Sequence, residues 1–201
     1  MENKISTKIK EAKERKKNNL LEAGYQLFST KGVTNTSVQD IVNKANIAKG
    51  TFYLYFKDKY ALEEAIVIHK SKQLFDEALT ALKKQNIKDL DKRVIFVIDE
   101  VIDKLQKMPH LLKIIGKNIS FGVFSDKVRE ILSNEEISII DYFKNAVKDA
   151  NLNLKNPEIT FYMIIELTGS TCYNCITSGK PMNINDFKPF LHDAITKLLK
   201  P

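Results

Sequence analysis

The sequence predicts an all-α protein in which a three-helix N-terminal domain precedes a larger helical domain, with about nine helices altogether. Apolar residues recur at intervals of three and four along most of the chain, which is the period of an amphipathic helix. Only 7 glycines and 5 prolines occur among the 201 residues, and several fall where periodic segments end. No strand-like alternation bounded by glycine-rich turns appears, so helix is the predicted state throughout.

The composition is that of a folded chain. Hydrophobic residues make up 43% and charged residues 28% of the sequence, a globular balance rather than that of a disordered protein. The Lys-rich first residues lack the apolar centre of a signal peptide, so we expect a cytoplasmic protein. The least charged stretch, residues 159–179, contains Glu166 and many hydroxyl side chains and is a poor candidate for a membrane span.

The first two helices are marked by their ends. Helical periodicity runs over residues 7–30, and Gly32 suits the position just after a helix C-terminus. Thr36 or Ser37 then caps a short second helix. One apolar stripe at helical spacing defines its inner face: Val38, Ile41, Val42 and Ala45.

A tight turn and a third short helix follow. Asn46 tolerates the left-handed backbone conformation that such a turn needs. The third helix directs three apolar side chains inward: Ile47, Phe52 and Phe56. Three residues that can offer hydrogen-bond donors lie on its outer face: Lys49, Gly50 and Tyr53. Residues 36–56 therefore predict a helix-turn-helix, the arrangement that places a recognition helix in the major groove of DNA.

Charge is concentrated at the same end of the chain. The first 60 residues contain 12 basic and 6 acidic residues, whereas the remaining residues contain 20 and 19. A basic segment joined to a nearly neutral one is typical of a nucleic-acid-binding module attached to a sensing or dimerising domain. A solvated basic arm explains the charge alone equally well.

The sequence resembles the tetracycline-repressor (TetR) family of bacterial transcription regulators over about residues 16–66. The resemblance rests on TSVQDIV at residues 36–42 and on ANIAKGTFYLYFKDK at residues 45–59. Asn46 departs from the family, which commonly has Gly there, and the basic arm before Lys16 is longer than usual. The resemblance implies a DNA-binding regulator rather than an enzyme, without metal or other cofactor.

The resemblance also implies roles for individual residues. Thr36 and Ser37 match positions that offer hydroxyl and backbone N–H groups to phosphate. Four residues match groove-facing positions: Gln39, Lys49, Gly50 and Thr51. Three match positions that contact phosphate or the rim of the DNA: Tyr53, Tyr55 and Lys59. For Tyr55, packing on the first helix is an equally good interpretation.

The domains follow from these assignments. Residues 1–15 form a basic arm, residues 16–60 the DNA-binding domain, and residues 61–201 an effector-binding and dimerisation domain. The arm either follows phosphates or enters the minor groove, or it is a flexible solubilising extension. Its positive charges are spread along its length: Lys4, Lys8, Lys10, Lys13 and Arg15.

Six further helices are predicted, over residues 59–82, 89–107, 111–119, 126–150, 157–178 and 184–199. Pro109 ends one of them, and Pro157 begins another. Helix 157–178 is apolar around most of its circumference, so we expect burial on more than one side. Small residues such as Gly169 are predicted to meet a second subunit, together with Phe190 and Leu191, in a homodimer that matches a palindromic operator.

Glu166 is the most informative residue of the second domain, because an unpaired carboxylate in an apolar helix is costly to bury. One interpretation is a pocket for a small-molecule effector around it, lined by Phe121, Phe124, Tyr162, Met163 and Tyr173. The other is a hydrogen bond from Glu166 across a subunit interface.

Other chemical motifs are sparse. Cys172 and Cys175 form a single C-x-x-C with no second pair and no nearby His, so we predict buried thiols rather than a zinc or redox site. Three functions remain open: a repressor released by a ligand, a dimeric regulator without an effector, and a helical enzyme or redox protein that uses the two cysteines. The first is the leading hypothesis.

Overall fold

The computed structural model describes residues 2–116, 119–124 and 138–200, and these form ten helices and no strands. The helices are α1 (Glu2–Lys31), α2 (Val38–Ala45), α3 (Lys49–Tyr53), α4 (Lys59–Leu82), α5 (Leu90–Lys107), α6 (Pro109–Ile115), α7 (Ile119–Phe124), α8 (Ile139–Asp149), α9 (Pro157–Ser178) and α10 (Ile184–Leu199). The all-α prediction is confirmed.

The chain divides into two compact units, Met1–Val67 and Ile68–Pro201. In the first, α1 is 30 residues long and includes most of the predicted basic arm, so the arm continues the helix. Gly32 has φ +79° and its N–H donates to the Phe28 carbonyl at 3.0 Å. This geometry confirms Gly32 as the residue that ends α1.

The core of the first unit is built from the predicted apolar faces. Its most buried large side chains come from all four helices: Leu20, Phe28, Ile41, Phe52 and Leu62. Helices α1 and α4 approach closely at Gly24, where an added Cβ would lie 2.7 Å from Leu62 Cδ2 and 2.9 Å from Ile66 Cδ1. The packed core fixes the short helices α2 and α3, which are too short to be stable alone.

The described residues of the second unit contain one more helix than predicted. The predicted helix over residues 111–119 is replaced by α6 and α7, because α6 ends at Gly116 with φ +41°. A positive φ interrupts a right-handed helix and is best tolerated by glycine. Of the predicted helix over residues 126–150, only α8 is described, and residues 126–137 lie outside the described part of the chain.

Helices α9 and α10 carry the residues predicted for a subunit interface. Pro157 begins α9 as predicted, with Asn156 as its cap. An added Cβ at Gly169 would lie 2.8 Å from Ile119 Cγ2, and Leu191 is 1% exposed. Leu191 therefore packs inside the chain, which corrects its assignment to a subunit interface. Gly169 is half-buried and Phe190 is 63% exposed, so their assignment stays a prediction.

Within the described residues, no helix combines the length and apolar character needed to span a membrane.

Candidate nucleic-acid interface

Helix α2 begins with a capping box. The Ser37 hydroxyl accepts a hydrogen bond from the Asp40 N–H at 3.1 Å, and the Asp40 carboxylate accepts one from the Ser37 N–H at 3.0 Å. The Ser37 N–H and then its hydroxyl stabilise the charged carboxylate, so they lower the pKa of Asp40 below its ordinary value. These reciprocal bonds fix the direction in which the chain enters α2.

The turn between α2 and α3 has the predicted geometry. Asn46 is left-handed, with φ 53° and ψ 50°, and its N–H donates to the Asn43 carbonyl at 3.2 Å. The Ile47 N–H donates to the Val42 carbonyl at 3.0 Å. Asparagine thus supplies the conformation for which glycine is the usual residue.

Helix α3 has a buried face and an open face, as predicted. Phe52 is 0% and Phe56 6% exposed, and their ring centroids lie 5.8 Å apart. Lys49 and Gly50 are exposed, and Tyr53 is 52% exposed. No heavy atom lies within 4 Å of a Cβ built on Gly50. Another molecule can therefore approach the backbone closely at this residue.

The remaining groove-facing candidates lie on α2 and α3. Gln39 is exposed, and its side-chain amide donates to the Asn43 side chain at 2.8 Å. Thr51 is half-buried on α3. This bond uses one of the two N–H donors of the Gln39 amide and leaves the other donor and the amide oxygen available to a base edge.

Thr36 has a structural role that the sequence did not indicate. It is 1% exposed, its hydroxyl donates to the Gly32 carbonyl at 2.8 Å, and its N–H donates to the Val33 carbonyl at 3.2 Å. Both of its donors are engaged within the protein. Ser37 is exposed, with its hydroxyl 2.8 Å from the Asp40 carboxylate.

Lys59 and Tyr55 tie the helix-turn-helix to its neighbours. Lys59 Nζ donates to the carbonyls of Thr34 and Thr36, each at 2.9 Å. The Tyr55 hydroxyl donates to the Lys13 carbonyl at 3.1 Å. Tyr55 thus packs on the first helix, which was one of the two interpretations of this residue. An ammonium group has three donors, so Lys59 keeps one for a further acceptor.

Two exposed residues of this surface were missed. Leu54 is 80% and Tyr60 56% exposed, and Lys59 Nζ lies 5.5 Å from the centre of the Tyr60 ring. For Leu54 a signal was available in the sequence: it follows the inward-facing Phe52 by two residues, so it points away from the core side of α3.

The six residues predicted for a ligand pocket do not share one degree of burial. Phe121, Tyr162 and Met163 are 38%, 42% and 41% exposed, while Glu166 and Tyr173 are half-buried. The ring of Phe124 lies 5.2 Å from that of Tyr162. Glu166 is thus not the fully buried carboxylate that motivated the prediction, and the pocket around it stays a prediction.

A separate apolar cavity lies between α4, α5, α8 and α9 in the second unit. Its enclosed space is small, about 30 Å³, and the wider cleft of about 420 Å³ around it includes open solvent. Its buried lining comes from all four helices: Phe75, Leu82, Val97, Ile98, Phe143 and Phe161. Arg93 and Tyr142 also line it, and none of the six residues predicted for a pocket does.

Comparison with known proteins agrees with this architecture. The family model for bacterial regulatory proteins of the tetR family matches residues 20–66. The HTH-type transcriptional regulator YhgD of Bacillus subtilis (strain 168) is 27% identical over 166 residues, which cover 74% of this chain and 78% of YhgD.

Two further proteins are similar. A relative in Escherichia coli (strain K12), named "Probable acrEF/envCD operon repressor", is 29% identical over 51% of this chain and 48% of its own length. The solved structure of RolR in complex with the ligand resorcinol shares the fold, with a TM-score of 0.60 and 14% identity over 94% of this chain and 90% of RolR.

The family match falls on the helix-turn-helix whose open face carries Lys49, Gly50 and Tyr53. YhgD extends the likeness well beyond that motif. Residues 20–66 form a DNA-binding domain of the tetR family of bacterial regulatory proteins, and the chain is a helix-turn-helix DNA-binding transcriptional regulator.

Proposed function

We propose that the protein is a cytoplasmic repressor that binds a palindromic operator as a homodimer and leaves it when a small molecule binds the second unit. The observation that carries the proposal is the open face of α3, which presents a lysine, an uncrowded glycine and a tyrosine on a helix-turn-helix. The alternative is a dimeric regulator that has no effector.

In this proposal the surface residues divide into two sets. Gln39, Lys49, Gly50 and Thr51 read the edges of bases, since lysine and glutamine pair with acceptors in the major groove. Ser37, Tyr53, Lys59 and Tyr55 position the protein on phosphates. Thr36 supports the second set from inside, because its carbonyl accepts a hydrogen bond from Lys59.

The homodimer is supported by an apolar face that the second unit leaves exposed. Ile159, Tyr162 and Met163 follow one another at helical spacing on α9, and all are more than 40% exposed. Phe190 adds a fourth exposed apolar side chain on α10. Exposed apolar side chains at helical spacing are typical of interaction sites, and a two-fold interface repeats the α3 face for both half-sites.

Effector control is supported by the cavity in the second unit and by the comparisons. RolR was solved with a small-molecule ligand, and the Escherichia coli relative is named as a repressor. A ligand shifts the protein away from its DNA-bound form only if it binds the other form more tightly.

The test combines operator selection with a search for release. DNA selected from a random pool by the full chain is used to measure affinity with and without a set of small metabolites. A compound that stabilises the protein against heat and weakens DNA binding supports the proposal. Compounds that stabilise the protein but leave DNA affinity unchanged would support the dimeric regulator without an effector.

A further inference from the structure

We infer that the N-terminal part of α1 is a second DNA-contacting surface of the protein. Three of its lysines lie along the phosphates of the DNA backbone next to the helix-turn-helix, and we name them the lysine stripe: Lys10, Lys13 and Lys17. The stripe adds a contact to the proposed function, because its residues lie outside the helix-turn-helix. It requires only that the chain binds DNA, and neither an effector nor a dimer.

The N-terminal part of α1 lies outside the packed core. Over residues 7–19 every side chain is exposed or half-buried, whereas Leu20 is 0% exposed. Because a helix rises about 1.5 Å per residue, this segment extends about 20 Å beyond the first core residue of α1. Its side chains are therefore available to another molecule.

A hydrogen bond holds this segment beside the DNA-binding face. The Tyr55 hydroxyl donates to the Lys13 carbonyl at 3.1 Å. Tyr55 is half-buried and follows the exposed Tyr53, the last residue of α3, by two positions. Lys13 therefore lies close to the end of the helix whose open face is assigned to DNA.

The lysine stripe occupies one side of α1. Its members are three and four residues apart, so they follow one another along the helix at intervals of one turn. Neither they nor the neighbouring Glu14 take part in the ion pairs found among the residues that the structure describes. Like charges at this spacing repel each other, and an anion along the stripe relieves that repulsion.

The lysine stripe also continues the face by which α1 packs in its domain. Lys17 precedes Gly24 by seven residues, and residues seven apart on a straight helix differ by only about 20° in direction. Gly24 is the point at which α1 meets Leu62 and Ile66 of α4. The stripe therefore lies on the side of α1 where the rest of the domain lies, rather than on the opposite side.

The helical state of the segment favours phosphates over the minor groove. A helix with its side chains is about 10–12 Å wide, whereas the minor groove is only about 6 Å wide. From Lys10 to Lys17 the stripe is about 10 Å long, and one DNA strand carries a phosphate for about every 3.4 Å of its axis. Three lysines thus match about three successive phosphates, and such a contact carries no base preference.

The test is the salt dependence of affinity for the operator that the full chain selects from a random pool of DNA. Each phosphate contact contributes about 0.9 to the slope of log affinity against log salt. The Lys10→Gln, Lys13→Gln double variant is expected to lose about 2 from this slope and to bind about tenfold more weakly at low salt. It should still select the same sequence.

Two further variants serve as controls. The Lys8→Gln, Arg15→Gln double variant removes the same charge from the opposite side of the same segment, so its slope should fall by less than about 0.5. The Lys10→Arg, Lys13→Arg double variant keeps the charge and should keep the slope of the parent.

Three results would overturn the inference: equal slopes for the two glutamine variants, an unchanged slope for Lys10→Gln, Lys13→Gln, or a different sequence selected by that variant. The first two would leave the segment as a solubilising extension, and the third would mean that it reads bases. If the full chain selects no common sequence, the proposed function fails. The same slopes measured on random DNA then still decide between the stripe and its control.

Discussion

The two units present their candidate sites in opposite ways. In the first, the site is an exposed face formed by a contiguous stretch of sequence, with Lys49, Gly50 and Tyr53 separated by a few residues. In the second, the candidate cavity is apolar, and its lining residues come from four helices and lie between Phe75 and Phe161 in the sequence. A site made by one local motif needs only rigid support, whereas a site made by distant helices depends on how those helices pack.

Two adjacent aromatic residues give the sharpest contrast between support and site. Phe52→Ala is expected to lower the free energy of unfolding by about 3–5 kcal/mol, since it empties a fully buried position. Tyr53→Ala should cost no more than about 1 kcal/mol, mainly through its edge-to-face contact with Phe52, and should weaken operator binding. Urea unfolding and operator titration measure both. A stable Tyr53→Ala protein with full operator affinity would remove Tyr53 from the interface.

Two glycines test the same division by adding one methyl group. At Gly24 the new Cβ would meet Leu62 and Ile66, so Gly24→Ala is expected to destabilise the protein by about 1–3 kcal/mol. At Gly50 the space is open, so Gly50→Ala should fold at least as stably as the parent and bind the operator more weakly. Thermal melts and operator binding distinguish them. Equal loss of stability in both variants would show that Gly50 also serves packing.

The capping box of α2 is expected to have a moderate effect on the free energy of unfolding, and this effect depends on pH. Ser37→Ala is expected to cost about 1 kcal/mol of stability at neutral pH. Because the pKa of Asp40 is lowered in the folded state, its stabilising effect is present above its ordinary pKa and lost as the pH falls through the lowered value. The stability difference between the parent and Asp40→Asn should therefore shrink below about pH 4. A difference that grows on acidification would have the wrong sign.

The smallest effect on operator binding is predicted for substitution of the two cysteines of the second unit. Cys172 and Cys175 are buried and unpaired by a disulfide, and burial raises the pKa of Cys172 to about 12. Alkylating reagents at pH 8 should modify Cys172 only as fast as the protein unfolds. Substitution of both residues by serine should leave operator affinity unchanged, and loss of binding on mild oxidation of the native protein would instead favour a redox role.

The first unit was largely predictable because its signals are local. Gly32, Ser37 and Asn46 each mark a helix end through their own backbone chemistry, and all three act as the sequence indicates. Thr36 was less predictable, since its hydroxyl and N–H bond within the connector before α2. The bonds of Lys59 to Thr34 and Thr36 join residues that are more than twenty positions apart, which no local pattern reveals.

The second unit was predictable in its helices but not in its cavity. The stripe that includes Leu90, Arg93 and Val97 lies on a helix that periodicity located correctly. Which helices face that stripe is decided by tertiary packing, and Phe161 lines the cavity beside the exposed Tyr162 and Met163. The aromatic residues of α9 suggested a pocket beside this helix, but they did not indicate which face of α9 lines it.

The most direct test of the account is selection of DNA from a random pool by the full chain and by the Lys49→Ala, Tyr53→Ala double variant. The account predicts that the parent enriches a two-fold palindrome with half-site centres about one helical turn of DNA apart, or a multiple of that spacing. The folded double variant should enrich no common sequence. Enrichment of the same palindrome by both proteins would contradict the assignment of the α3 face as the surface that reads DNA.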